Sequence, residues 1–155
     1  MQSVLIHDAA GAVGHAALRY ARSVGASIYA TAGSEEERAS LIEKGGLAKD
    51  RIFTSTNDSF VVEVLKATGG QGVDLALNSL PGSEVLQATG KCIADFGKLV
   101  NIGPVDGLLD MTFLLDSGKS YTAVSLAALM AKKQSVIKRY DFLLSRRQSQ
   151  LLSWY

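Results

Sequence analysis

Residues 3–25 read SVLIHDAAGAVGHAALRYARSVG, and the fold is decided there. The apolar run Val4, Leu5, Ile6 is long enough for a buried parallel strand, and after a few small residues apolar side chains recur at helical spacing at Val13, Ala17, Leu18, Ala21 and Val24. Strand, tight turn and helix is the predicted order. At the turn, Ala9, Gly11 and Gly14 occupy the three glycine positions of the dinucleotide fingerprint, with alanine in place of the first. Such a turn has to bend sharply, leave no Cβ under a pyrophosphate and let the helix lie close on the sheet with its N-terminal N–H groups facing the anion. Small residues also serve simple packing in strand–helix units, so both readings stand at this point.

Working outward, residues 26–31 read as a second strand and residues 34–44 as a second helix, ended by Gly45-Gly46. In the usual NAD-binding version of this unit the second strand ends in Asp or Glu, which hydrogen-bonds the ribose 2′-hydroxyl. Here the strand runs into Ala30-Thr31-Ala32-Gly33-Ser34, with no acid. That absence favours NADP, since Ser34 and Arg38 offer a hydroxyl and a guanidinium to a 2′-phosphate. Ser34 and Glu37 also have the spacing of a helix capping box, and Arg38 reads equally well as a solvated helix residue.

Further strands are predicted at 51–54, 73–77, 98–102 and 121–126, and further helices at 59–68 and 83–92, the first of these helices carrying an apolar stripe (Phe60, Val61, Val64, Leu65). Strands alternating with helices at this spacing predict an α/β fold, a Rossmann-type doubly wound parallel sheet of about six strands. Right-handed crossovers leave the strand ends on one edge, where a ligand sits. That edge gathers Gly11–Gly14, Gly33-Ser34, Asn78-Ser79 and Gly103. Residues 106–120 are irregular, and 127–154 read as one or two amphipathic helices.

With 155 residues, 47% of them hydrophobic, the chain is expected to be a single dinucleotide-binding domain over 1–155, with its core in 3–126, a C-terminal helical segment in 127–155 and no second lobe. A net charge of +1 creates no field favouring nucleic acid or an anionic membrane, and Lys132, Lys133, Lys138, Arg139, Arg146 and Arg147 read as a solvated helix face. Cys92 is the sole cysteine, so an intrachain disulfide is excluded and a reducing, cytoplasmic setting fits. No apolar run approaches the ~20 residues of a bilayer span, and no targeting segment is evident.

The remaining chemistry-bearing residues have structural readings. His7 ends the first strand as a core-edge histidine bonded to backbone, and His15 is a surface residue of the first helix turn. Asp74, inside an apolar strand, bonds a helix terminus or loop. Cys92 is a small buried residue. No Ser-His-Asp order, zinc spacing or phosphate-loop lysine supports a hydrolase or kinase.

Five stretches together resemble a known family: 3–7 (SVLIH), 9–14 (AAGAVG), 30–38 (ATAGSEEER), 68–80 (TGGQGVDLALNSL) and 96–103 (FGKLVNIG). In that order and spacing they are similar to the nucleotide-binding lobe of the enoyl reductase domains of highly reducing polyketide synthases and animal fatty acid synthase, which are of the medium-chain dehydrogenase/reductase type. The resemblance covers residues 3 to about 130 and weakens after Gly103. It implies an NADPH-dependent reduction of the double bond of an enoyl thioester carried on an acyl carrier protein. It also implies that Gly11, Ala12, Val13 and Gly14 face the pyrophosphate, Ser34 and Arg38 the 2′-phosphate, and Asn78, Ser79 and Gly103 the nicotinamide. Three positions depart from the family: Glu37 replaces a usual lysine, Pro104 replaces another, and Ala127 falls where a further acid is common. Since a general acid contributes about 10²- to 10⁴-fold in rate, the resemblance together with these departures implies a degenerate lobe in which NADP binding is weakened or lost. The family's substrate lobe is absent from this sequence, so the chain alone is expected to be inactive. A lobe of an active reductase and a purely structural module remain the alternatives.

Overall fold

The structure, a computed structural model, describes residues 2–105, 112, 117–125, 127, 128 and 131. The chain divides into two compact units, Met1–Ala123 and Val124–Tyr155. Most of the predicted irregular stretch at 106–120, and nearly all of the predicted helices at 127–154, lie outside the described residues.

In the first unit the elements follow one another as β1 (Ser3–Ile6), α1 (Ala12–Ser23), β2 (Ser27–Ala32), α2 (Glu35–Glu43), β3 (Ile52–Thr54), α3 (Phe60–Ala67), β4 (Val73–Asn78), α4 (Ser83–Lys91), β5 (Ile93–Asn101) and β6 (Ser120–Ala123). The described strands form one six-stranded sheet in the order β3-β2-β1-β4-β5-β6, every pairing parallel. This is the doubly wound order, in which successive strands are added outward from β1 on one side and then, from β4, on the other, the order of addition reversing between β1 and β4.

Alternation along the strands sorts the core into two layers. Val4 and Ile6 of β1 join Ile28, Ala30 and Ala32 of β2, with Leu18, Ala21 and Leu41 of α1 and α2 over them. Leu5 points to the other face, with Tyr29, Phe53, Ala76 and Leu99, under Phe60 and Val64 of α3 and Leu86 and Ala88 of α4. Both faces of β1 are covered, which is why its apolar run is continuous.

The strand predicted at 98–102 is longer than its pattern suggested, starting at Ile93. Val73 pairs with Ile93 and Leu75 with Lys98, so residues 94–97 stand opposite Asp74 alone. This bulge breaks the alternation that sequence reading relies on. Phe96 turns into the left-handed region there (φ 62°), its N–H donating to the Ser117 carbonyl at 2.9 Å.

Candidate functional site

The β1–α1 turn is shaped by what the backbone permits. His7 leaves β1, Asp8 takes φ 47°, which an aspartate tolerates better than most residues, and the Gly11 N–H closes back on the Asp8 carbonyl at 3.0 Å. A Cβ on Gly14 would collide with the Asp8 carbonyl and stand 2.5 Å from the Ala9 Cα. Only glycine lets α1 approach this closely. Ala9 and Gly14 are buried, whereas Ala12 and Val13 are exposed at the helix entrance.

The first turn of α1 has no capping side chain and no acidic residue. Its leading N–H groups, those of Ala12, Val13 and Gly14, therefore carry the positive end of the helix dipole with no acid in the turn itself, the nearby carboxylate being that of Asp8, which lies against Gly11. The first turn of α2 is the opposite case. Ser34 Oγ accepts the Glu37 N–H at 3.2 Å, and Glu35, Glu36 and Glu37 all lie in the first turn. Glu37 reaches back as in a capping box, but one residue further than expected, taking the Gly33 N–H onto Oε2 at 2.7 Å. Glu36 is held below the usual carboxylate range by its own backbone N–H and by the Ser34 hydroxyl. Arg38 Nε lies 3.8 Å from Glu35 Oε1.

The ends of β4 and β5 are locked by a pair of buried asparagines. Asn78 Nδ2 donates to Asn101 Oδ1 at 2.8 Å and to the Leu80 carbonyl at 3.0 Å, while its Oδ1 accepts the Leu80 N–H at 3.3 Å. Asn101 in turn donates from Nδ2 to the Gly103 carbonyl at 3.0 Å. The loops 78–82 and 101–104 are thereby fixed side by side. Gly103 runs so close to Leu80 that a Cβ there would meet its carbonyl, and the Gly82 N–H donates to the Pro104 carbonyl at 3.4 Å. Asn101 was not singled out as a site residue from sequence, although an asparagine ending each of two strands was a legible signal.

Hydrogen bonds join these three loops into one edge. The Ala9 N–H donates to the Thr31 carbonyl at 3.2 Å, and Ser79 Oγ donates to the His7 carbonyl at 3.1 Å. The structure thus brings Gly11–Gly14, Ser34, Arg38, Asn78, Ser79 and Gly103 to the C-terminal edge of the sheet, on both sides of the β1/β4 reversal. In open α/β sheets that is where ligands bind.

Beneath the edge lies His7, fully buried. Its partners are side chains rather than the backbone expected from sequence: Thr31 Oγ1 at 3.0 Å from Nδ1 and Thr89 Oγ1 at 2.9 Å from Nε2. Thr89 already donates its proton to the Val85 carbonyl at 2.6 Å, so it accepts from Nε2–H, and Nδ1 accepts from Thr31. Burial depresses the His7 pKa to about 4, keeping the ring neutral. Cys92 is buried, its thiol pushed up to about 12 by desolvation, and is chemically inert at neutral pH. Asp74 lies exposed at the opposite edge, where Oδ2 accepts the Ser3 N–H at 2.7 Å and the Ser3 hydroxyl at 2.8 Å. It ties β4 to the start of β1 rather than to a helix terminus or loop.

Comparison with known proteins agrees with this geometry. Residues 12–144 match the zinc-binding dehydrogenase family model. The chain is similar to the squalestatin hexaketide synthase of Phoma sp., 40% identical over 158 residues that cover 97% of this chain and 6% of that protein. A highly reducing polyketide synthase of Aspergillus terreus is 49% identical over 129 residues, 83% of this chain and 5% of its own length. Among solved structures, the nucleotide-binding subdomain of the enoylreductase domain of PpsC from Mycobacterium tuberculosis superposes with a TM-score of 0.80 at 30% identity, covering 98% of this chain and 83% of that one. The chain belongs to the nucleotide-binding subdomains of polyketide synthase enoyl reductases.

This enoyl reductase subdomain spans about a twentieth of the curated synthases it matches. Among the described residues no three His, Cys, Asp or Glu side chains converge on a possible metal position, so the zinc of the wider family's name finds no ligand set among them. Among the same residues no helix is long and apolar enough to cross a membrane.

Proposed function

We propose that this subdomain holds a nicotinamide dinucleotide for an enoyl reductase acting inside a polyketide synthase. The observation that carries the reading is the uncapped entrance of α1 over Gly11–Gly14, placed at the reversal point of the sheet. Its backbone N–H groups would receive the pyrophosphate, beside the Asp8 carboxylate that lies against Gly11. The loops held by Asn78 and Asn101 would line the nicotinamide end with backbone and the Ser79 hydroxyl, since the amide hydrogens of Asn78 are already donated within the protein. When bound, the cofactor supplies the hydride that goes to the β-carbon of an enoyl thioester on an acyl carrier protein. The family form of the cofactor is NADP(H), and Glu37 opposes its 2′-phosphate.

A degenerate site is favoured by particular residues. Proton delivery to the reduced substrate needs an acid, and neither Pro104 nor Ala127, standing where the family commonly has ionisable groups, has a proton to give. The enoyl thioester is therefore expected to be turned over slowly, if at all, by the synthase that carries this subdomain.

Calorimetric titration of the chain with NADH and NADPH tests the binding step. In Ala12→Asp a carboxylate is added to the open first turn of α1, where it stabilises the helix and repels a pyrophosphate. Dinucleotide affinity is expected to fall at least about tenfold while the melting temperature holds or rises. Equal affinity in the variant would place the phosphates elsewhere and refute the assignment.

A further inference from the structure

The dinucleotide reading does not specify which adenosine ribose the lobe accepts, and the charges around the end of β2 decide it. The strand itself has no acid, yet the first turn of α2 folds one back. Glu37 Oε2, bound to the Gly33 N–H at 2.7 Å, stands one residue past the end of β2. In dinucleotide folds a carboxylate at this place receives the ribose 2′-hydroxyl, whereas a cation accommodates a 2′-phosphate.

A second carboxylate is near. Asp8 Oδ2 lies 2.5 Å from where a Cβ on Gly11 would stand, so the carboxylate occupies the space beside the turn that the missing side chain leaves. Burial, and then the charge of Glu37, hold the Asp8 carboxyl above its ordinary range, which reports that the two acids feel one another. Among Asp8, Glu35, Glu36 and Glu37 stands the Arg38 guanidinium, its Nε 3.8 Å from Glu35 Oε1. The Ser34 hydroxyl already caps α2. The first turn of α2 thus holds a cap and three acids, whereas that of α1 holds neither and has only the Asp8 carboxylate beside it. An anion is opposed more strongly at the second helix than at the first.

We infer that Glu37, seconded by Asp8, fits this lobe to a dinucleotide whose adenosine ribose keeps a free 2′-hydroxyl, and sets it against one bearing a 2′-phosphate. The inference rests on the dinucleotide reading above and goes beyond it by naming NAD(H) as the cofactor class.

Calorimetric titrations of the chain and its variants with NADH and with NADPH provide the test, the readout being the ratio of the two affinities. NADH is expected to bind about tenfold more tightly or better, the scale of one like-charge contact at a protein surface. Glu37→Gln keeps an acceptor for the Gly33 N–H and discards the charge, so the ratio narrows. Glu37→Lys reverses it, and Asp8→Asn, which tolerates the left-handed backbone, narrows it by less. A variant that is partly unfolded loses affinity for both ligands by the same factor, so the ratio still reports the charge. NADPH binding to the unaltered chain as tightly as NADH overturns the inference, as does a ratio unmoved in both Glu37 variants. If neither dinucleotide binds the unaltered chain, the dinucleotide reading itself falls and takes the inference with it. Whether NADH binds at all tells the two failures apart.

Discussion

His7 illustrates how one side chain ties this fold to pH. Enclosed by Thr31, Thr89 and the edge of the Phe60 ring (centroids 4.9 Å apart), it has no room for water around a charged imidazole. Its folded-state pKa of about 4 lies below the ordinary 6.5, so the unfolded chain takes up the proton first. The stabilising contribution of the neutral ring is complete above pH 6.5 and is lost as pH falls toward 4, amounting to about 3 kcal/mol across that window. Urea melts from about pH 7.5 down to about pH 4 should show this decline, and His7→Gln should flatten it. A slope unchanged in the variant would assign the decline to other groups. Asn78 makes a comparable case without charge. In Asn78→Ala the Leu80 carbonyl loses the Asn78 amide and the buried Asn101 oxygen keeps only the Gly103 N–H at 3.3 Å, a cost of about 1–3 kcal/mol in thermal or urea unfolding. A loss too small to measure would mean that the two loops are held by their backbone bonds alone.

Helices α1 and α2 show how two similar elements acquire different uses. Both enter from a strand at the same edge, but the first turn of α1 has no capping side chain and no acid, whereas that of α2 is capped by Ser34 and carries three acids. Ser34→Ala should therefore destabilise the chain by about 1 kcal/mol while leaving NADH affinity within about twofold, as measured by melts and calorimetry. A large loss of NADH affinity with an unchanged melt would instead make Ser34 a ligand contact. At this scale sequence was most informative where periodicity was clean. The buried run of β1, the stripe of α3 and the glycine stops after α2 and α3 all reflect local sterics or one-sided burial. Residues 93–97 of β5 escaped because a bulge sets four residues opposite one and destroys the period. Glu37 was legible as a capping-box partner of Ser34 and as an acid where the family has a lysine, but its bond to the Gly33 N–H was not, because only the folded turn brings it back to the strand.

Across the first unit, the sheet order places both halves of the proposed site around one boundary. β1 has β2 on one side and β4 on the other, so the crossovers leaving β1 and β4 pass to opposite faces and their loops part at the rim. A dinucleotide lying across that gap touches the turn after β1, the end of β2 and the loops after β4 and β5, but nothing at the far edge, where Asp74 is tied to Ser3 and β5 bulges around Phe96. Amide hydrogen exchange with and without saturating NADH tests this arrangement. Slowing is expected in 9–14, 33–38, 79–82 and 102–104, because binding removes local openings that exchange those amides. Residues 69–74 and 94–97 should exchange at unchanged rates. Protection spread evenly over both edges would indicate general stabilisation by a ligand bound elsewhere, and protection confined to the far edge would move the site off the reversal point altogether.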